Sequence, residues 1–251
     1  MPDSGGLLPL LLGAARVSGF LLALPILGGP RVPVPARVGL GLCLAATVPA
    51  ARVPVPEAAS VFGALVVKEV SVGLFLGWGV ALAFAAVQVA AQVAELSLGL
   101  GTGHLVDPVH GTESTVLAQL WTVLATALYL ATDAHHHALR LVGTSFHRLP
   151  PTAFLPAGPV GRWAVEVAAA SFLSGVQLAA PFLVASLAVE VGIALVARAA
   201  PQVNVFLTSL PLKVGVGLVL VGLFLPYLFG GMEAEFTRTL WAAAQLLRRG
   251  P

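Results

Sequence analysis

Charged residues are scarce in this sequence. Asp, Glu, Lys and Arg together make up 10% of its 251 residues, whereas soluble globular proteins carry roughly 25%. Hydrophobic residues account for 58%, and the mean hydropathy is +0.95. This composition excludes an ordinary soluble domain and predicts an integral membrane protein in contact with membrane lipid.

The sequence also lacks the features of several kinds of binding site. Its 13 basic and 11 acidic residues form no basic cluster, so no nucleic-acid binding is expected. Cys43 is the single cysteine, which leaves neither an intrachain disulfide nor a thiolate metal site. The glycine-rich stretch from Gly99 to Gly103 lacks both the Gly-x-Gly-x-x-Gly spacing and the preceding strand of a dinucleotide site. No cofactor is therefore predicted.

The long apolar runs do not match the thickness of one bilayer. Val61–Ala94 and Trp163–Ala197 contain 34 and 35 residues, and each would measure about 50 Å as one helix, against a hydrocarbon core of about 30 Å. Val38–Ala51 has only 14 residues, fewer than the roughly 20 that a span needs. The other apolar runs are Leu7–Leu27, Val116–Ala131 and Leu212–Phe229.

These lengths predict an all-α, multi-helix integral membrane protein with kinked and broken helices. No internal repeat is evident, so residues 1–251 are expected to form a single membrane-embedded domain. Apolar length in excess of the bilayer must be buried somewhere, and we therefore expect it to pack against other subunits.

A few polar and small residues interrupt the apolar runs. Arg16 lies in the middle of the first run, and Lys68 and Glu69 lie near the start of the run from Val61, where a lipid-facing position would be costly. Three glycines follow in that run and indicate close helix packing. They are Gly73, Gly77 and Gly79.

A polar stripe lies near the end of the same run. Gln88, Gln92 and Glu95 recur at intervals of four and three residues, so they share one face of a helix. The stripe has two explanations, namely hydrogen bonding between packed helices or a surface that faces a pore. The sequence does not separate them.

The stretch from Gly192 to Phe206 contains a helix break. Pro201 lacks a backbone N–H and its ring clashes with the carbonyl four residues earlier, so the helix through Arg198 should end or kink here. The side-chain amides of Gln202 and Asn204 are placed to donate to the carbonyls that the break leaves unpaired. An ordinary turn between helices would explain the same residues. Two helical turns before Arg198 lies Glu190, which makes these two residues a candidate ion pair.

The break motif carries a resemblance to a known family. The pattern Arg-x-x-Pro-Gln-x-Asn-x-Phe from Arg198 to Phe206 is followed by Pro211-Leu212-Lys213 and then Gly215-x-Gly217-Leu218. This series resembles the FliR family, the export-gate proteins of flagellar and injectisome type III secretion. The resemblance implies a helical assembly with FliP-like and FliQ-like subunits in the bacterial inner membrane, at a flagellar basal body or injectisome base. It also implies association with an FlhB-like protein, and a central channel through which unfolded proteins are exported.

The glycine-rich loop from Gly99 to Gly111 matches a second segment of that family. By resemblance it lies in the export channel and helps to plug it while the gate is closed. Its alternating glycines would lower the resistance to rearrangement that opening requires. The residues assigned to the plug are Gly99, Gly101, Gly103, Val106, Asp107 and Pro108.

Three consecutive histidines follow Asp133. Helical neighbours splay by about 100°, so at most two of His135, His136 and His137 can approach one ion, and no metal site is predicted. The family instead has a Gly-His-His segment eleven residues before a Ser-Phe pair. Here Ala134-His135-His136 precedes Ser145-Phe146 at that offset, with Ala134 in place of the glycine.

Two other functional classes remain open at this point. A secondary transporter or channel for a small solute would use helices broken near Pro181 and Pro201, although its usual inverted repeats are not evident. An intramembrane enzyme would need a catalytic constellation. No His-Glu-x-x-His zinc motif occurs, and Ser171 and Ser174 have no base nearby in the sequence, so no catalytic residue is predicted.

Overall fold

Helices make up nearly all of the structure described here, a computed structural model. The described residues are 4–28, 32–47, 59–99, 116–153, 157–200 and 205–248, and within them there are nine helices and no strand. In chain order these are α1 Ser4–Ala23, α2 Pro25–Gly28, α3 Val34–Thr47, α4 Ala59–Leu98, α5 Val116–Ala131, α6 Ala134–Arg148, α7 Ala157–Ala199, α8 Val205–Leu223 and α9 Leu225–Arg248. The all-α prediction is confirmed.

Two of the described helices are long and apolar enough to cross a membrane. They cover Val61–Leu98 in α4 and Gly158–Ala199 in α7. With 40 and 43 residues, α4 and α7 measure about 60 and 65 Å, so both exceed the hydrocarbon core, as the apolar runs predicted. Pro181 lies inside α7, and the helix continues on both sides of it.

The last apolar run, Leu212–Phe229, is broken in the structure. It is divided at Phe224 into α8 and α9, and the pair is bent by 62°. Pro226 cannot donate a hydrogen bond to the carbonyl of Gly222, which removes a helical bond at the bend. If the bent pair forms one crossing, the described residues hold three candidate spans.

The chain divides by its contacts into two compact units. Unit 1 contains Met1–Ala83, Tyr129–Ala169 and Phe236–Pro251, and unit 2 contains Phe84–Leu128 and Ala170–Glu235. The assignment of residues 1–251 to one membrane-embedded domain stays a prediction.

Close backbone approach organises unit 1, where α1 packs against α4. A Cβ built on Gly73 would lie 2.8 Å from the amide nitrogen of Phe20 and closer still to the carbonyl oxygen of Arg16. A Cβ on Gly77 would lie 2.5 Å from the carbonyl oxygen of Phe20. Only glycine permits these distances, so the sequence correctly indicated close packing here.

Aromatic side chains and further glycines pack the core of unit 2. The rings of Trp121 and Phe182 lie 5.5 Å apart between centroids, and both side chains are fully buried. A Cβ on Gly175 would lie 2.6 Å from the carbonyl oxygen of Ala86, which brings α7 close to α4 within this unit. These contacts give unit 2 a core of its own.

Replacing Gly73 with Ala should destabilise the protein by about 1 to 3 kcal/mol, because the added methyl group would force α1 and α4 apart. The matched control is Gly63→Ala in the same helix, where nothing lies within 4 Å of the added atom. That change should be neutral or stabilising by up to about 1 kcal/mol, since Ala is the better helix former.

The measurement is the temperature at which half of a fluorescent-protein fusion is lost from the soluble fraction of a detergent extract. A lower temperature for Gly73→Ala than for Gly63→Ala is expected. Equal temperatures for the two variants would contradict the close approach of α1 and α4.

Candidate functional site

Most of the predicted plug lies outside the described residues. Gly101, Gly103, Val106, Asp107 and Pro108 belong to that part of the chain. Gly99 is described, and it ends α4 with a φ of 74°, a left-handed conformation that glycine adopts without strain. The start of the loop is therefore a glycine cap on the long helix α4.

The helix-break motif is described at its two ends. Arg198 is exposed in the last turn of α7, which ends at Ala199, and α8 begins at Val205. Phe206 follows in the first turn of α8. The residues between these ends, including Pro201, Gln202 and Asn204, lie outside the described part. The end of α7 agrees with the effect expected of the proline.

The polar stripe on α4 is divided by burial. Gln88 and Gln92 are exposed, whereas Glu95 is only 5% exposed. The stripe therefore presents two amides at the surface of this chain and one carboxylate inside it. Amides on the surface of an apolar helix need hydrogen-bonding partners, which a neighbouring polar group or water would have to supply.

Glu190 has a different ionic partner from the one that its spacing suggested. Its Oε1 lies 2.6 Å from Nζ of Lys213 on α8, within unit 2. Arg198 is eight residues further along α7, about 12 Å along the axis, whereas α8 brings a lysine directly alongside. Glu190 is about half exposed, so this pair contributes little to stability.

The strongest polar constellation of the described residues lies inside unit 1 and is centred on Arg16. This guanidinium is fully buried, and its Nε donates to Oε2 of Glu69 at 2.5 Å. Its two terminal nitrogens donate to Oγ of Ser145 at 3.0 Å and to the carbonyl oxygen of Leu149 at 2.7 Å. The ring of Phe146 lies 4.1 Å from the guanidinium carbon, a cation–π distance.

Lys68 extends this constellation to the segment between α6 and α7. Its Nζ donates to the carbonyl oxygens of Pro150 and Pro151, each at 2.9 Å, and lies 3.3 Å from Oε1 of Glu69. Proline carbonyls are available here because this segment has no helical donors to bond them. The two cations and one carboxylate thus hold α1, α4 and the end of α6 in one arrangement.

Chemically, this buried network positions helices rather than performing a reaction. Each of the three guanidinium nitrogens of Arg16 donates one hydrogen bond, and the carboxylate of Glu69 is inaccessible to solvent. A buried ion pair offsets its desolvation only when the remaining polar atoms are compensated. Here Oε2 of Glu69 accepts from Arg16, whereas the buried Oε1 accepts no hydrogen bond and lies 3.3 Å from the ammonium nitrogen of Lys68. The sequence marked Lys68 and Glu69 as costly in lipid and Arg16 as an interruption of the first apolar run. Charges in apolar runs were the available signal that these residues pair.

These observations define the class: an all-helical membrane protein with long apolar helices and an interior charge network. A family model described as "Bacterial export proteins, family 1" matches residues 7–239. The chain belongs to this family, which includes FliR and is a family of export proteins rather than enzymes.

Individual relatives agree with the family match. The chain is 29% identical over 244 residues to flagellar biosynthetic protein FliR of Bacillus subtilis, covering 94% of this chain and 93% of that one. It is 31% identical over 215 residues to FliR of Caulobacter vibrioides, covering 84% and 86%. Yop proteins translocation protein T of Yersinia pestis is 28% identical over 164 residues, covering 64% and 62%. The family resemblance stated from the motifs is confirmed.

Replacing Arg16 with Met should cost about 3 to 5 kcal/mol, because it removes the main partner of a fully buried carboxylate. The control is Glu190→Gln, which breaks the partly exposed pair with Lys213 and should cost less than about 1 kcal/mol. The measurement is the thermal loss of a fluorescent-protein fusion from detergent extracts, as for the glycine variants.

The double variant Arg16→Met with Glu69→Leu should recover part of the loss, since it removes both fully buried charges and leaves Lys68 bonded to the carbonyl oxygens of Pro150 and Pro151. If the double variant loses as much stability as the two single variants lose together, or more, then the single variants do not act by breaking this ion pair.

Proposed function

We propose that this protein is a subunit of the type III protein export gate, which forms with FliP-like and FliQ-like subunits the channel that carries unfolded proteins across the inner membrane. The observation that carries the proposal is the family match, which extends over residues 7–239. Two relatives named flagellar biosynthetic protein FliR are matched over more than nine-tenths of their length. Membership of an export family favours this function over a solute transporter.

Uncovered apolar surface supports a role as a subunit. The most apolar stretch of 18 residues in α4 is 50% buried within the chain, whereas the corresponding stretch of α7 is only 17% buried. Large aliphatic side chains are exposed on the second half of α7 and also on α8. A surface of this extent on helices longer than a bilayer fits contact with other membrane proteins. The residues are Val184, Leu187, Val191, Leu195, Leu218, Val219 and Leu223.

The position of the plug supports a role at the channel. The loop follows Gly99 directly, at the end of the helix that carries the exposed amides of Gln88 and Gln92. In this proposal the stripe lines or borders the channel and the loop from Gly99 to Gly111 obstructs it in the closed state. An FlhB-like protein would associate at the gate, and the whole would lie at the base of the secretion system.

Of the flagellar and injectisome secretion systems, the flagellar one is better supported for this protein. Relatives with flagellar names are matched over 84 to 94% of this chain in three bacteria, whereas the Yop translocation relative is matched over 64%. We therefore propose that the exported substrates are unfolded flagellar proteins.

Co-expression with the FliP-like and FliQ-like proteins of the same organism should convert this chain from a poorly behaved to a monodisperse protein in mild detergent. The reason is that the apolar faces of α7 and α8 would then be buried by subunits rather than by other copies of the chain. Size-exclusion chromatography of a tagged chain, with mass spectrometry of the co-eluting proteins, makes the measurement. A chain that is equally monodisperse alone and binds neither partner would favour the transporter alternative.

Deleting Gly101–Leu105 should leave the assembled complex intact but allow small ions to leak through it, because closure of a wide pore requires material in the channel. The measurement is conductance of the reconstituted complex. A control that replaces the same five residues with a Gly/Ser segment of equal length separates the loss of length from the loss of sequence. A deletion complex as tight as the parent would remove this loop from the gate.

A further inference from the structure

A cluster of metal-ligating side chains lies at the turn between α5 and α6, inside unit 1. Asp133, His135 and His136 each offer one ligand atom, and these atoms all lie within 4.8 Å of one another. Oδ1 of Asp133 and Nδ1 of His136 are 3.1 Å apart, and the two imidazole rings lie 4.1 Å apart between centroids. None of these residues takes part in the network at Arg16 or in the proposed channel.

The backbone directs the carboxylate of Asp133 into this cluster. Asp133 has φ 56° and ψ 18°, and it is the one non-glycine residue with positive φ among the described residues. An aspartate before a helix usually accepts a hydrogen bond from a backbone N–H of the first turn. Here the side chain makes no such bond and contacts His136 instead, so its oxygens remain available as ligands.

His135 supplies an independent observation. Its Nδ1 is buried and has no hydrogen-bond partner, although buried polar atoms in proteins are generally satisfied. The ring of His135 lies 6.3 Å from that of Tyr129 between centroids. An ion coordinated through this nitrogen would supply the partner that it lacks.

We propose that Asp133, His135 and His136 bind one divalent first-row transition cation of the Zn²⁺ type, with water completing its shell. Two imidazoles and a carboxylate suit such a cation better than Mg²⁺ or Ca²⁺, which prefer oxygen ligands alone. Ligand atoms around tetrahedral zinc lie about 3.3 Å apart, a value that follows from bonds of about 2.0 Å. The Asp133–His136 pair is close to this separation at 3.1 Å, and the ligand atom of His135 lies within 4.8 Å of the other two.

The composition of the set agrees with the geometric limit derived from the sequence. At most two consecutive helical histidines can approach one ion, and the third ligand is an aspartate rather than His137. His137 is exposed and lies outside the group. The ion would stabilise the first turn of α6. Near the other end of this helix, Ser145 accepts a hydrogen bond from Arg16. We therefore expect a structural rather than a catalytic ion.

The test uses the full-length chain, purified through a tag without histidines and with any co-purifying subunits left in place. Zn²⁺ uptake is measured by equilibrium dialysis with elemental analysis, and Co²⁺ is used as a spectroscopic probe of ligand geometry. We expect one ion per chain, and at least a tenfold loss of affinity in Asp133→Asn and in His136→Gln. Asn tolerates the left-handed conformation, so Asp133→Asn changes the ligand without straining the turn.

The matched control is His137→Gln, which removes a neighbouring histidine that the cluster does not use and should leave the affinity unchanged. Metal bound by other subunits is common to all four preparations and cancels in the comparison. Three results would each overturn the proposal: no Zn²⁺ uptake by the parent, an unchanged affinity in Asp133→Asn, or an equal loss in His137→Gln and His136→Gln.

Discussion

The burial of one guanidinium group constrains the arrangement of unit 1. Arg16 has no access to solvent, and each of its three guanidinium nitrogens donates to an acceptor supplied by another part of the chain. Those acceptors come from α4, from α6 and from the residue that follows α6. A different placement of any of these elements would leave a buried charge unpaired, which costs more than most single contacts contribute. The network therefore selects one packing of helices whose apolar surfaces alone would permit several.

Glycines provide the complementary condition. The approach of Gly73 to Arg16 and Phe20 brings α1 and α4 close enough for the guanidinium to reach Glu69, which lies one helical turn before Gly73 on the same helix. In a membrane, where apolar side chains gain little by leaving lipid, close contact and polar pairing are the main sources of helix association. Unit 1 uses both at the same junction.

Sequence patterns predicted the positions of the helices better than they predicted which residues contact each other. The apolar runs gave the excessive lengths of α4 and α7, and Pro201 correctly implied that α7 ends near Arg198. The bend at Phe224 was not predicted, although Pro226 inside the run from Leu212 to Phe229 was the available signal for it. The network at Arg16 was not predictable, since Ser145 is 129 residues away and several acceptors are backbone carbonyls, which leave no trace in the side-chain pattern. Glu190 paired with Lys213 for the same reason, because helix adjacency and not spacing decided its partner.

Sequence motifs, rather than helix packing, indicated the function. An Arg-x-x-Pro-Gln-x-Asn-x-Phe series has no single physical explanation, yet it indicated the family that the comparisons then established. The physical features of the chain explain why such a protein would act as a subunit: α7 and α8 leave large apolar side chains exposed on helices longer than a bilayer.

The most direct test of the export-gate assignment is secretion of flagellar filament protein by a strain of the source organism that lacks this gene. The account predicts that the filament protein is absent from the culture medium, that a plasmid copy of the gene restores it, and that proteins exported by the general secretory route are unaffected. Secretion of filament protein at the parental level by the deletion strain would contradict the assignment.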